Sequence, residues 1–248
     1  MCGRYVSVKS DEDVLRDFDA VDATGDEDYE SDWNIAPTKP VRTIVNRPLR
    51  DESGSAASTP TRQLRVMSWG LVPSWAKDRG TQGKMFNARV ESLVDKPAFR
   101  SAYAKRRCLV PADGWYEWQV VDGPDGPVKQ PMYMTPPDGH SIAFAGVYEF
   151  WRNGDEPTLS TCAIVTAPAV AALAEIHDRM PLVLPRGHWA RWLDPRVSDP
   201  SDLLAEWDEA GGEHLELRPV STTVNSVDNN GAQLLDRVEP VPRAQMLF

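Results

Sequence analysis

Cysteine and lysine are both scarce in this sequence, and each scarcity excludes something. The chain of 248 residues holds 3 cysteines, Cys2, Cys108 and Cys162, far apart along the chain. An odd number cannot all pair, and the spacing suits neither a disulfide framework nor a thiolate zinc site. The 4 histidines lack metal-ligand spacing as well, so neither a metal nor another cofactor is expected. No run approaches the ~18 apolar residues of a membrane helix, and the opening Met-Cys-Gly-Arg-Tyr lacks the apolar stretch of a signal peptide. A cytoplasmic protein without membrane association is the expectation. Repeats and heptads are also missing.

Lysine occurs only at positions 9, 39, 77, 84, 96, 105 and 129, so arginine supplies most of the positive charge. Acid is in excess, with a net charge of −10 and a pI of about 4.9. That balance argues against broad nucleic-acid binding, which favours a basic surface. An acid-rich, lysine-poor surface is instead what a salt-adapted cytosol selects, where salt screens the self-repulsion. Melting temperature should therefore rise from low to molar salt; equal stability at both would overturn a halophilic origin.

What is present describes a folded globular chain, 41% hydrophobic and 8% aromatic. Ser10 followed by three acids reads as a capped helix start, with Val14, Leu15 and Phe18 on one face. Residues 95–106 read as a short helix carrying Phe99 and Tyr103 four apart, and residues 168–176, rich in alanine, as another. Further short helices are expected at 188–193 and 202–209. Strand-like runs fall at 41–46, 64–69, 108–110, 115–121, 132–135, 142–151, 162–166 and 215–220. Between the first two, residues 50–62 are polar and read as a loose hairpin insertion. Many strands with scattered short helices imply an α+β fold, one domain over residues 1–248, built on a curved or barrel-like mixed sheet.

Cys108 and Cys162 lie in apolar runs and read as small core residues. Cys2 has no such packing explanation. If Met1 is trimmed, Cys2 carries a free α-amine and a free thiol on one residue. The amine has an unperturbed pKa of about 7.7–8.0, so part of it is nucleophilic near neutrality. An aldehyde meeting both groups forms an imine with the amine, and the sulfur then closes a five-membered thiazolidine. Taken alone, a second-position cysteine is more often incidental, and its neighbours in sequence decide the matter.

Those neighbours are Met1-Cys2-Gly3-Arg4-Tyr5, Trp33-Asn34-Ile35-Ala36-Pro37, Trp69-Gly70-Leu71-Val72-Pro73-Ser74-Trp75, the segment Phe86-Asn87-Ala88-Arg89-Val90-Glu91-Ser92, the segment Pro111 to Trp118, and Ile176-His177-Asp178-Arg179-Met180-Pro181. In this order, from residue 2 to about residue 235, they closely resemble the SRAP family of SOS-response-associated-peptidase-like, abasic-site processing proteins. Each motif is weak alone; their ordered conjunction with a second-position cysteine is specific. The resemblance implies the SRAP fold and a monomer that binds single-stranded DNA near the nucleoid. It also implies covalent capture of abasic sites as a thiazolidine on the N-terminal cysteine.

Residue by residue, the resemblance assigns Glu117 as the catalytic glutamate. Its place between Trp115 and Trp118 implies partial desolvation and a raised pKa suited to proton transfer. It gives His177 a part in sugar-ring opening and imine chemistry, and histidine suits proton transfer near neutral pH. Asn87 offers amide donors and an acceptor to hold Cys2 or the opened sugar. Arg4, Arg89 and Arg179 are candidate phosphate clamps, and Trp75 a stacking surface; Trp69 reads as core. Val227-Asp228-Asn229 departs from the basic or neutral loop of the family, which weakens the case for a DNA contact there. Two other readings stand beside this one: a cysteine peptidase or amidase using Cys2, Glu117 and His177, and a noncatalytic single-strand binding module.

Overall fold

The computed structural model describes residues 2–25, 29–50, 55–124, 126–154, 156–206 and 215–242. Its strands are β1 (Tyr5–Ser7), β2 (Val21–Asp22), β3 (Asp32–Ile35), β4 (Pro40–Arg50), β5 (Ala56–Trp69), β6 (Asn87–Arg89), β7 (Arg107–Ala112), β8 (Gly114–Gly123), β9 (Gly126–Thr135), β10 (Ile142–Trp151), β11 (Leu159–Pro168), β12 (Arg179–Pro181) and β13 (Glu216–Pro219). They form two sheets. One has the order β13-β9-β8-β1-β3, the other β12-β11-β10-β7-β4-β5-β2. In the second sheet β5 pairs back onto β11 in parallel through Thr161↔Ser68 and Cys162↔Trp69, so five strands close on themselves. The fold is thus α+β with a curved sheet, as the strand-rich sequence implies.

Short helices flank this core. Helix α1 (Asp11–Phe18) starts where expected: Ser10 Oγ accepts the Asp13 N–H, and Val14 and Phe18 are buried. Helix α2 (Pro97–Lys105) buries Phe99 and Tyr103, also as expected. Two helices follow late in the chain, α3 (Trp189–Leu193) and α4 (Ser201–Glu206); residues 207–209 of the expected second one lie outside the described residues.

Two expectations need correction. The polar stretch 50–62 is mostly strand: β4 runs to Arg50 and β5 resumes at Ala56, in a hairpin whose residues 51–54 lie outside the described part. Pro48 and Pro60 face each other in it, next to a register shift. Two prolines in one pair cost ladder bonds, and the polar composition of the stretch hides the strand that the pairing with β4 makes. The alanine-rich stretch 168–176 is not an α-helix. Strand β11 runs through Pro168, and only a 3-10 turn follows at Ala171–Glu175. Ala171 takes a left-handed φ of 47°, which a propagating α-helix does not tolerate.

One buried cation ties helices to sheet. Arg107, 4% exposed, donates to the carbonyls of Tyr103, Ala104, Trp192, Asp194 and Val197 and so caps the ends of both α2 and α3. Replacing it by alanine strands five carbonyls. Urea unfolding of Arg107→Ala should show a loss of about 3–5 kcal/mol; a loss below ~1 kcal/mol would mean water replaces the guanidinium freely.

Candidate active site

Strand β1 is inserted between β3 and β8, pairing Tyr5 with Ile35 and with Trp115. The ladder extends back to Arg4, whose carbonyl accepts the Tyr116 N–H at 3.0 Å. This brings the chain preceding β1 alongside Glu117. On the other side Asn87, at the start of β6, donates from Nδ2 to the Cys2 carbonyl at 2.6 Å. Strand β6 is held there by parallel pairing to β11, Ile164↔Asn87 to Thr166↔Arg89. Three segments remote in sequence thus meet at Cys2.

Cys2 is fully buried and belongs to the main apolar core. The expectation that it lacked a packing role is therefore corrected. Burial and the Glu117 carboxylate push its thiol well above the ordinary range, so it stays protonated at neutral pH.

Glu117 sits mid-strand on β8 opposite Met132, and alternation puts it on the inner face with Trp115. Only 3% exposed, it lies in a narrow crevice with Trp115, Leu173, His177, Arg179 and Met180. Burial pushes its carboxyl up to about 7, where it both gives and takes protons near neutrality.

His177 enters the crevice from the turn after Ala171–Glu175, its N–H bonded to the Leu173 carbonyl. Its Nδ1 has two claimants. The Arg179 N–H donates to it at 3.0 Å, and the exposed Asp178 carboxylate lies 2.8 Å away. The first requires an unprotonated Nδ1, the second a protonated one. Burial lowers the His177 pKa below its ordinary value, which favours the neutral ring accepting from Arg179 and carrying its proton on Nε2.

The cations are placed differently from one another. Arg179 is buried and pairs with both oxygens of Glu91 while donating to the Thr166 carbonyl at 2.6 Å. Arg4 is half-buried over the Trp118 ring and donates to Asn34 Oδ1 and to the Val224 and Asn225 carbonyls. Arg89 is exposed two residues beyond Asn87, and Trp75 is 65% exposed between β5 and β6. Trp69 is fully buried, and its Nε1 donates to the Phe86 carbonyl, which fixes the approach to Asn87. Sequence reasoning missed Asn34, 0% exposed, whose Nδ2 binds the carbonyls of Val224, Ser226 and Asn229. It also missed Glu91 as the partner of Arg179. The only signal for either was its place inside a motif.

Among the described residues no group of three or more His, Cys, Asp or Glu side chains is arranged to hold a metal, and no helix is long and apolar enough to cross a membrane.

Fold and site together define a mixed-sheet α+β protein that gathers a second-position cysteine, a raised carboxyl and a neutral imidazole at the junction of two sheets. Comparison with known proteins gives this class its family. The family model for SOS response associated peptidase (SRAP) matches residues 1–227. Abasic site processing protein YoaM of Bacillus subtilis is 36% identical over 236 residues, covering 95% of this chain and 98% of that protein. Abasic site processing protein YedK of Escherichia coli is 31% identical over 245 residues, covering 96% and 100%. A solved structure from Bacteroides thetaiotaomicron superposes with a TM-score of 0.76 at 19% identity, over 96% of this chain and 100% of that one, and speaks for the fold. The chain belongs to the SRAP family.

Proposed function

We propose that this protein captures abasic sites in single-stranded DNA as a covalent thiazolidine on Cys2, after Met1 has been removed, and so protects the lesion in the DNA damage response. The observation that carries the reading is the burial of Glu117, with a pKa near 7, beside Cys2 and in one crevice with His177. The names of the curated relatives, abasic site processing proteins, support it.

The chemistry follows from those groups. An abasic sugar exposes its C1′ aldehyde only when its ring opens. The Glu117 carboxyl gives its proton to the ring oxygen and its other oxygen takes the proton of the C1′ hydroxyl, while the Nε2–H of His177 hydrogen-bonds the ring oxygen. The Cys2 amine adds to C1′, and Glu117 as the acid protonates the hydroxyl that leaves as water. The Cys2 sulfur then adds to the imine carbon; its proton passes through the Glu117 carboxylate to the ring nitrogen. One water is lost overall, and no oxidant or reductant is needed. Asn87 holds the Cys2 carbonyl and so the orientation of the aminothiol. Arg89 and Trp75, both exposed, take a phosphate and a base; Arg4 and Arg179, whose guanidinium groups already hold carbonyls and Glu91, act chiefly by positioning the walls.

A peptidase needs a thiolate–imidazolium pair. Here burial raises the thiol and lowers the imidazole, opposite to what that pair requires. A plain binding module gains little from a chain of charge −10, whereas a covalent bond survives salt.

The test is a denaturing gel after incubation with a single strand carrying one abasic site or its tetrahydrofuran analogue, which cannot open to an aldehyde. A shifted band with the abasic strand only, with a mass one water below the sum of strand and Met1-trimmed protein, is expected. A band with the analogue, or none with the abasic strand, would sink the reading.

A further inference from the structure

The face of β8 that carries Glu117 continues beyond it. Side chains alternate along a strand, so Trp115, Glu117, Gln119 and Val121 share one side, joined across the ladder by Met132 opposite Glu117 and Gln130 opposite Gln119. Past the crevice this face opens into a second cavity of about 660 Å³, closed on its far side by residues 237–242. That closing segment is fastened at two points. The Val238 N–H donates to the Pro219 carbonyl at 3.0 Å and the Val241 N–H to Gln130 Oε1 at 3.1 Å.

The lining has a definite character. Val121, Met132, Pro219 and Pro240 give apolar walls. Gln130 is saturated, its amide donating to the Pro131 and Val220 carbonyls. Gln119 donates to the Glu175 carbonyl at 3.0 Å, and its Oε1 accepts no bond among the described residues. Arg237 and Glu239 put one charge of each sign on the lining, and Arg237 is already paired with Glu216. Such walls suit neither a phosphate nor a cation. They suit a neutral planar ring with a hydrogen-bonding edge, and the volume lies in the range of small-ligand sites.

We infer that this cavity receives the nucleobase next to the abasic site. The inference rests on capture at Cys2 and extends it. Gln119 lies two residues, about 7 Å along the strand, from Glu117, roughly one nucleotide step. A strand whose sugar sits at Cys2 and Glu117 therefore presents a neighbouring base to Gln119, with Val121 and Met132 against its face.

Capture rates at limiting DNA test this on strands whose 5′ or 3′ neighbour base is replaced by tetrahydrofuran. Loss of the base on one side should slow capture by ~10-fold or more. Val121→Trp, which fills the cavity, should erase that difference. Uniform rates on all strands, or a preference surviving in Val121→Trp, would overturn the inference while leaving capture intact. Should that variant fold poorly, 5-iodouracil placed on either side of the lesion decides with the unmodified protein: photocrosslinks to residues 119–132 or 237–242 support the cavity, and crosslinks only elsewhere refute it. If no strand is captured at all, the proposed function fails, and the same photocrosslink map of the noncovalent complex still decides the cavity.

Discussion

Cys2→Ala should abolish the salt-resistant DNA adduct, whereas Cys162→Ala, which removes an equally buried thiol, should leave it. The reason is geometric. Imine and thiol sit on one residue, so ring closure is intramolecular, and its loss forfeits an effective molarity of order 10⁵ M or more. Cys2→Ser separates the two steps. It keeps the amine and loses the sulfur, so a band should appear only when borohydride traps the imine. An additional untrimmed residue before Cys2 should remove both steps, because it acylates the amine. Since Cys2 is part of the core, alanine there should cost about 1 kcal/mol, too little to unfold the protein. A Cys2→Ala variant that still gives a borohydride-independent band would place the linkage on another residue.

Much of this site was legible because its residues stand at irregular places in short motifs. Glu117 is a carboxylate within an aromatic strand, and His177 precedes the tight Asp178-Arg179-Met180-Pro181. What could not be read was which of these residues share space. Nothing local announces that β1 slips between β3 and β8 and so carries Cys2 to Glu117 and Asn87. For the same reason Cys2 looked unpacked, although it is buried under residues far away in sequence. Arg179 looked like a phosphate clamp because charge is visible in sequence and pairing is not; its bond to Glu91 bridges 88 positions. Secondary structure failed where composition and topology disagree. Polar residues 56–62 are strand because β4 supplies their partner, and residues 171–175 are only a 3-10 turn because Ala171 turns left-handed between β11 and His177.

Glu117→Gln should move stability and activity in opposite directions, and only above a certain pH. The folded carboxyl titrates near 7 against an ordinary value of 4.5. The folded state therefore holds this proton more tightly than the unfolded state does. Below pH ~4.5 both states are protonated and its full contribution to stability is present. As pH rises from there the unfolded chain ionises first, and the contribution is lost through pH 7. The loss amounts to about 3 kcal/mol by pH 8, the cost of a carboxylate held where only 3% of the residue is exposed. Glutamine keeps the shape and cannot ionise. The variant should match the parent near pH ~4 and exceed it in urea unfolding at pH ~8. Over the same range its capture rate should fall by ~10²–10⁴-fold, and the limb of the rate profile near pH 7 should vanish. Superimposable stability curves for the two proteins would show that the carboxyl titrates normally and is solvated. A stabilised but inactive variant, by contrast, means that the fold tolerates a costly ionisation at this position because the proton transfer requires it.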